Sequence, residues 1–426
     1  QNQKYQICAT YPTVLCIPSS ISDEEFLNAA KFRTKGRVPV LTWRLQNVES
    51  GPCICRSSQP TPGLTKARSA ADEILVDMIR RATKTSDTIY FLDARPKVNA
   101  QANTLAGAGF ENMTFYKNCK LKFLGIENIH VMRSSQHKLQ EICSAGHMGS
   151  RNFHGQLENT GWFLHLSSIL LGAVRLCDYI DVHGASVLIH CSDGWDRTPQ
   201  LSALAQIMLD PYYRTLEGFE TLISKEWLSF GHKFADRTGQ FAPVKKQEVS
   251  PVWLQFLDCV YQVMEQHPTA FEYSTDLLLL LAEAPLNPVF GTFQGNSDKE
   301  RSDQDVFGRT QCVWDLVRRE RRKFRCLLYR PHADGEADHD GCAVAARVEA
   351  ARPASDSQLS RRSRSSPTPP ASAVLRHESS GALHRLFIGA SVADMVLWRE
   401  QWCGDIHGGK ARLNAAIRSC TAVLPP

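Results

Sequence analysis

The sequence lacks paired cysteine motifs, a long apolar run and a strong charge of either sign. None of its fourteen cysteines forms a Cys-x-x-Cys pair, and only Cys53 and Cys55 lie close together. A zinc module with paired thiolates is therefore not expected. The pure leucine run 277–281 is far too short to cross a bilayer, and we expect no signal peptide or membrane anchor at either end. The net charge of +5 permits acidic ligands without indicating a nucleic acid.

The composition is otherwise that of an ordinary globular protein, with 43% hydrophobic and 22% charged residues. A length of 426 residues allows one large domain with an appendage, or two domains. Scattered cysteines without a disulfide framework favour a reducing, cytosolic setting. The first residue is glutamine rather than methionine, so we expect a fragment or a processed chain.

The character of the sequence changes beyond about residue 325. Lys410 is the only lysine after Lys323, while arginine, alanine, serine and proline accumulate. Stretches of this kind favour disorder. We therefore predict one domain over 1–325 and a low-complexity, disordered tail over 326–426. Within the tail only Leu383–Trp402 has a helical pattern, and we assign the tail no function.

Short apolar runs alternate with helical patterns along the first domain. The runs predict strands at 14–17, 37–43, 53–56, 88–92, 121–124 and from 187. Helical spacing predicts helices at 23–32, 65–82, 161–181, 198–209, 212–225, 251–267 and 274–283. This alternation predicts an α/β fold with a mixed, mainly parallel sheet covered by helices on both faces. Functional loops are then expected at the carboxyl ends of the strands.

The first two of these helices carry more specific signals. Ser22 followed by Glu25 predicts a capping box at the start of the first helix. In the second helix, apolar residues recur at the spacing of one helical face. Ala70, Ile74, Met78 and Ala82 lie on one face, which predicts an amphipathic helix.

The most informative stretch is the loop from Cys191 to Arg197, which follows an apolar strand and precedes a helix. Five residues separate the two. A loop this short can aim its backbone N–H groups at one tetrahedral anion, while the guanidinium binds two of its oxygens. The helix dipole would stabilise both that anion and a thiolate at Cys191. The pattern is typical of cysteine-dependent phosphatases. The other thirteen cysteines are interpreted as small core residues.

Several stretches beyond this loop resemble the myotubularin family of phosphoinositide 3-phosphatases, and the resemblance covers about residues 2–323. They are 35–43 (KGRVPVLTW), 56–60 (RSSQP), 93–96 (DARP), 128–133 (NIHVMR) and 227–234 (WLSFGHKF). The sequences of residues 232–237 and 290–293 most resemble those of the branch whose members carry a C-terminal lipid-binding zinc finger. The resemblance implies a cysteine-phosphatase-like fold. It also implies removal of the D3 phosphate from phosphatidylinositol 3-phosphate and phosphatidylinositol 3,5-bisphosphate, without a metal or another cofactor.

The resemblance also implies roles for individual residues. Cys191 attacks as a thiolate to form a phosphocysteine, and Arg197 holds the transferred phosphoryl group. Asp196 is the candidate general acid for the leaving inositol oxygen, and its alternative is a structural carboxylate that holds the shape of the loop. Further residues are expected to bind the substrate: Ser192, Asp193, Gly194 and Trp195 in the loop, Asn103, Asn128 and Ile129 at the pocket wall, and Lys233 and Arg237 against the other ring phosphates.

Two neighbours of the loop keep open interpretations. Thr198 either helps to release the phosphocysteine through its hydroxyl or only caps the helix. His190 is expected to shape the loop rather than to transfer protons. Because Asp193 and Asp196 lower the positive potential of the loop, we expect lipids with one or two ring phosphates to be preferred over triphosphorylated ones.

Rival interpretations are a protein tyrosine or dual-specificity phosphatase, a catalytically inactive scaffold of the same family and, least favoured, a plain binding module. The expected partners are a phosphoinositide at a membrane surface and further copies or other members of the family, and no nucleic acid is expected. The expected location is cytoplasmic, peripheral to endosomal membranes.

Overall fold

A five-stranded mixed sheet forms the centre of the protein, in a computed structural model that describes residues 2–46, 48–145, 152–240, 246–331 and 385–402. Its strands are β1 Val40–Arg44, β2 Cys53–Ser57, β3 Ile89–Asp93, β4 Cys119–Phe123 and β5 Val187–His190. Their order across the sheet is β1-β2-β5-β3-β4. Only β1 runs antiparallel to its neighbour, and the other pairs are parallel. The predicted mixed, mainly parallel sheet is confirmed, with β5 at its centre.

Helices cover the sheet. They are α1 Asp23–Lys31, α2 Ala70–Arg81, α3 Lys97–Leu105, α4 Ile129–Ser144, α5 Phe153–Asn159, α6 Trp162–Asp181, α7 Arg197–Leu209, α8 Leu216–Ile223, α9 Phe234–Thr238, α10 Val252–Gln266, α11 Thr275–Glu283, α12 Asp298–Asp303, α13 Val306–Arg309, α14 Val313–Arg319, α15 Arg321–Phe324 and α16 Arg399–Trp402. A π-helical turn, Ser224–Ser229, follows α8.

Two hydrophobic cores lie on the two faces of the sheet. The larger core packs α6, α7 and α10 against side chains such as Ile189 of β5, and the smaller core packs α1 and α2 against side chains such as Leu188. Adjacent residues of a strand project to opposite faces, which explains why Leu188 and Ile189 are buried in different cores. By length and composition α6 could cross a membrane, but half of its most apolar window is buried against other parts of the protein.

Some local predictions in the first 145 residues are confirmed and others are wrong. The capping box of Ser22 and Glu25 is confirmed. Residues 14–17 do not form the expected strand, although the Cys16 carbonyl accepts a bond of 3.0 Å from the Leu41 N–H. The sequence analysis also missed α4, which Asn128 caps through its side chain.

The predicted amphipathic helix is confirmed as α2, but its buried face is not the one on which Ala70, Ile74 and Met78 lie. The helix buries Leu75, Val76 and Ile79, while Ile74 is 38% exposed. The cause is a charge inside the smaller core: Asp72 accepts two hydrogen bonds from the Arg33 guanidinium, at 2.7 and 2.6 Å, and both side chains are fully buried. Hydrophobic spacing alone does not reveal such a pair, because its acidic member looks like a surface residue.

Part of the predicted tail lies against the larger core. Leu386, Ile388 and Trp398 are buried, and the Trp398 ring stacks on that of Tyr261 with centroids 5.4 Å apart. The prediction of disorder is therefore wrong for 385–402, and the expected helix is reduced to α16 and one short turn at Val392–Asp394. Residues 332–384 and 403–426 lie outside the described residues. The domain boundary at 325 stays a prediction.

Replacing Trp398 tests whether this segment is bound. Trp398→Ala is expected to lower the free energy of unfolding by about 3–5 kcal/mol, because a fully buried indole leaves a cavity. Val396→Ala is the matched control, since Val396 is 47% exposed and its truncation should cost less than about 0.5 kcal/mol. Urea unfolding followed by circular dichroism measures both values. Equal, small effects would show that the segment is detached in solution.

Candidate active site

The loop between β5 and α7 forms a cradle around the sulfur of Cys191. The Gly194 N–H and the Thr198 hydroxyl both donate to Sγ at 3.3 Å. The Cys191 side chain is almost fully buried, yet it lies at the floor of an open cavity of about 990 Å³. Because α7 begins at Arg197, its positive end points at this floor. The sulfur is therefore surrounded by donors and positive charge.

These surroundings decide the ionisation of Cys191. Burial alone would raise the pKa of its thiol, but the Arg197 charge and the hydrogen bonds from Thr198 and Gly194 outweigh burial, and the pKa is lowered from its ordinary value. The nearby Asp196 carboxylate acts in the opposite direction and is overcome. A larger fraction of Cys191 is consequently thiolate at neutral pH than for an ordinary cysteine.

Two buried arginines fix the peptide between Gly194 and Trp195. Arg37 and Arg56 each donate an Nη2–H to the Gly194 carbonyl oxygen, at 3.0 and 2.8 Å. Because a trans peptide points its N–H away from its C=O, the Trp195 N–H faces away from the arginines. Gly194 has φ +77°, and a Cβ there would lie 2.3 Å from the Ser57 carbonyl oxygen. The position therefore requires glycine.

Arg197 stands beside the sulfur with its charge unmatched. Its guanidinium donates to the Ile126 carbonyl at 3.1 Å and to the Ser192 hydroxyl at 3.4 Å. Across the described ranges, no carboxylate forms an ion pair with it. Two neutral acceptors hold the guanidinium at the cavity floor, where it can bind two oxygens of a phosphoryl group.

Asp196 is engaged by two basic side chains. Arg237 donates to both carboxylate oxygens, at 3.0 and 2.9 Å, and His232 Nδ1 lies 3.3 Å from Oδ1. Burial would raise the pKa of Asp196, but the Arg237 charge and the hydrogen bonds from both partners lower it far more. In the ligand-free chain Asp196 is thus a carboxylate that holds Arg237, as the structural alternative expects. Proton donation requires its pKa to rise when substrate binds.

Asp193 has the opposite character. Its carboxyl group lines the cavity and has no hydrogen-bond or ion-pair partner among the residues the structure describes. Burial and the Asp196 charge raise the pKa of Asp193, while Arg37, Lys35 and Lys233 offset part of the rise. The two loop carboxyl groups therefore differ in their readiness to hold a proton.

Most of the remaining expected substrate-binding residues line the same cavity. Asn128 and Ile129 lie at the start of α4, and Lys233 has its Nζ 4.7 Å from the centre of the Trp195 ring and 3.1 Å from Asp236. Asn103 does not line the cavity, which corrects the expected pocket wall. Its side chain donates to Gln59 at 3.1 Å.

Comparison with known proteins gives the chain a family. Residues 1–302 match the family described as Myotubularin-like phosphatase domain. The chain belongs to this family. Similar relatives are human phosphatidylinositol-3,5-bisphosphate 3-phosphatase MTMR8 (44% identity, 77% of this chain, 46% of the relative), human phosphatidylinositol-3,5-bisphosphate 3-phosphatase MTMR6 (44%, 77%, 52%) and human phosphatidylinositol-3-phosphate phosphatase MTMR7 (43%, 79%, 50%). The chain spans about half the length of these relatives. Likeness to the zinc-finger branch stays a prediction.

The sequence analysis did not identify several residues that line this myotubularin-like cavity. They include Lys35, Gln240, Glu248, Asn296 and Glu300. Lys35 stands in one of the family stretches and has φ +58°, but isolated polar residues of this kind read as surface residues. No local signal marks the others, because the fold brings them to the loop from distant parts of the chain.

His190 supports the myotubularin-like loop from below. It is fully buried, with Nε2 3.0 Å from Glu111 and Nδ1 3.2 Å from the Cys191 carbonyl oxygen. Burial would lower the pKa of His190, but the Glu111 charge raises it. In turn, Arg33 donates to Glu111 at 2.6 Å. These contacts agree with the loop-shaping role expected of His190.

The ionisation of Cys191 can be measured by alkylation. The rate of reaction with iodoacetamide should rise through a midpoint below the pH at which ordinary cysteines react, since only the thiolate is alkylated. Thr198→Ala should move the midpoint to higher pH, because it removes a hydrogen bond that stabilises the thiolate. Thr221→Ala, an exposed threonine outside this cavity, is the control. An unchanged midpoint in Thr198→Ala would contradict this account of the sulfur.

The roles of the two aspartates can be separated with two substrates. An aryl phosphate has a good leaving group and needs no general acid, whereas a lipid substrate does. If bound phosphate draws Arg237 away, the pKa of Asp196 rises and the carboxyl group can donate. We therefore expect Asp196→Asn to lower lipid turnover about 100-fold or more while aryl phosphate turnover falls much less. Asp193→Asn is the matched comparison. Equal losses on both substrates would assign Asp196 a structural role, and a lipid-selective loss in Asp193→Asn would make Asp193 the donor.

Proposed function

We propose that this chain is a phosphoinositide 3-phosphatase that removes the D3 phosphate from phosphatidylinositol 3-phosphate and phosphatidylinositol 3,5-bisphosphate. One observation carries the proposal: the Cys191 sulfur receives two hydrogen bonds at the floor of an open cavity, beside the unmatched Arg197. The relatives MTMR6, MTMR7 and MTMR8 are named as phosphatases of these lipids. Their likeness supports the same substrate class here.

The first step forms a covalent intermediate. The Cys191 thiolate attacks phosphorus, and the bond from phosphorus to the inositol oxygen breaks. Arg197 and the loop amides stabilise the charge that develops on the phosphoryl oxygens. The leaving oxygen takes a proton, for which Asp196 is the proposed donor once substrate has displaced Arg237. Water then hydrolyses the phosphocysteine, and Thr198 is placed to help because its hydroxyl already contacts the sulfur.

The charges around the cavity support lightly phosphorylated substrates. Arg237 is matched by Asp196 and by Glu248, whose Oε2 lies 2.9 Å away. Lys233 is matched by Asp236 at 3.1 Å. Apart from Arg197, Lys35 is the one lysine or arginine among the described cavity residues that has no ion pair, so little positive charge is left uncompensated for additional phosphates. At close range each charge is worth on the order of a kcal/mol in such a site.

Two rival functions differ in measurable ways. A protein tyrosine phosphatase shares the Cys-x5-Arg loop, but the cavity of about 990 Å³ is at the upper end for small-molecule sites and supports a ligand as bulky as an inositol ring. An inactive scaffold does not need an ionised nucleophile beside an unmatched arginine. Both Cys191 and Arg197 are present here and are brought together.

The proposal extends to the cellular setting. Because the proposed substrates are lipids, the chain would act at a membrane surface, from the cytoplasm and on endosomal membranes. Association with other copies or other family members is part of the same proposal, and it draws only on the family resemblance. Binding to liposomes with and without 3-phosphorylated lipids tests the membrane part directly.

A panel of soluble short-chain phosphoinositides tests the function. We expect phosphate release from the 3-phosphate and the 3,5-bisphosphate, with the 3,4,5-trisphosphate about tenfold slower because little unmatched positive charge remains for an additional ring phosphate. Cys191→Ser should abolish release. Cys177→Ser, at another fully buried cysteine, should retain it.

Three outcomes would contradict the proposal. Fastest release from the trisphosphate would overturn the charge argument. Equal release from wild type and Cys191→Ser would favour the scaffold. Faster release from a phosphotyrosine peptide than from any lipid would favour the protein phosphatase.

A further inference from the structure

A pair of thiols lies on β2, away from the catalytic loop. Cys53 and Cys55 are alternate residues of the strand, so their side chains project to the same face, and their sulfurs are 3.9 Å apart. Both line a small cavity of about 140 Å³, whose wall also includes the exposed Cys16. Although they are only 7% and 2% exposed, a small solute can reach them through this cavity.

The surroundings of the two thiols are not equivalent. The Ser186 hydroxyl lies 3.3 Å from the Cys53 sulfur, and the strand register places Arg44 directly opposite Cys53. Cys55 instead faces the apolar Leu41. The hydrogen bond from Cys55 lowers the pKa of Cys53 against the effect of burial, with help from Ser186 and Arg44. The same hydrogen bond, together with burial, raises the pKa of Cys55. The Ser186 hydroxyl and the Arg44 position beside Cys53 thus favour a thiolate at Cys53 over one at Cys55.

We propose that Cys53 and Cys55 form a peroxide-sensitive dithiol, in which a hydroperoxide oxidises Cys53 and Cys55 then closes a disulfide within the strand. This modification site is independent of the phosphatase function proposed above. The catalytic sulfur lies at the end of β5, and neither thiol of the pair lines the catalytic cavity.

The chemistry balances in two steps. The Cys53 thiolate attacks one peroxide oxygen, the O–O bond breaks, and the sulfur becomes a sulfenic acid while the peroxide is reduced to water or an alcohol. The Cys55 thiol then gives up its proton and attacks the sulfenic sulfur. The S–S bond forms as hydroxide leaves, and hydroxide takes the proton to give water. The hydroperoxide is the only oxidant required.

The backbone permits this bond. Residues two apart in a strand have Cα atoms about 6.6–6.8 Å apart, which is at the upper end of the separation found across disulfides. The strand must therefore contract locally, by a deepening of its pleat, before the two sulfurs can bond. A bridge at this limit is strained and easily reduced, so the modification is expected to be reversible.

Peptide mapping of the full chain tests the proposal. Trypsin cuts after Arg44 and Arg56, so both thiols fall on the single peptide 45–56, while Cys16 falls on 5–31. The chain is treated with hydrogen peroxide, its free thiols are blocked with N-ethylmaleimide, and the peptides are weighed. We expect peptide 45–56 to lose two hydrogens and to carry no maleimide. This product should form at least about tenfold faster than oxidation of Cys177, the pKa of which burial raises to about 12.

Single variants assign the order of events. In Cys55→Ser, Cys53 should stop at the sulfenic acid and be trapped by a cyclic 1,3-diketone. In Cys53→Ser, Cys55 should remain reactive with maleimide. Wild-type mapping stands on its own if a variant fails to fold. Two maleimides on peptide 45–56 after peroxide treatment, a cross-link between 45–56 and 5–31 through Cys16, or oxidation no faster than that of Cys177 would overturn the proposal.

Discussion

The carbonyl oxygen of Gly194 accepts hydrogen bonds from two fully buried arginines, and the shape of the loop from Cys191 to Arg197 depends on this contact. Arg56 is matched by Glu226 at 2.8 Å, whereas Arg37 has no carboxylate partner among the described residues. Arg37 is held by carbonyl and hydroxyl oxygens, including the Phe230 carbonyl at 2.8 Å. A buried charge without a counter-ion is costly, and the oxygens that accept hydrogen bonds from Arg37, that of Gly194 among them, offset this cost.

Other buried charges around the site are likewise compensated by their neighbours. Below the loop, Arg33, Glu111 and His190 form a buried chain that holds the end of β5. On the side of the loop that faces the cavity, Arg237 donates hydrogen bonds to Asp196. Glu111 contacts both Arg33 and His190, and Arg237 contacts both Asp196 and Glu248, so the charges around the loop are compensated by more than one partner. The contacts below the loop therefore fix that part of it before substrate arrives, whereas the contact between Asp196 and Arg237 is the one that substrate is proposed to separate.

The sequence predicted the features that depend on residues close to one another along the chain. The loop from Cys191 to Arg197, the strand before it and the mainly parallel sheet follow from short-range patterns. The predictions that failed concern residues whose positions are set by partners far away along the chain. The buried face of α2 is set by Arg33 across the core, Asn103 turns to Gln59 rather than to the cavity, and 385–402 is bound by a core that its own composition does not reveal. Tertiary contacts override propensity in each case.

The charges of Arg237 and Lys233 illustrate the same limit. The family resemblance suggested that both bind phosphates, and both do line the cavity, but only the structure reveals that carboxylates already match them. Spacing along the chain cannot show which charges remain free, because the matching residue can come from another element. Asp196 is the clearest example, since its partner Arg237 lies 41 positions away.

Trapping of the covalent intermediate tests the central claim most directly. The full chain would be mixed with a lipid labelled in its 3-phosphate, quenched with acid within milliseconds and digested. The account predicts label on the peptide that contains Cys191, bound through sulfur and lost on treatment with iodine. Release of labelled phosphate with no label on Cys191 at any time, or with label on another residue, would contradict it.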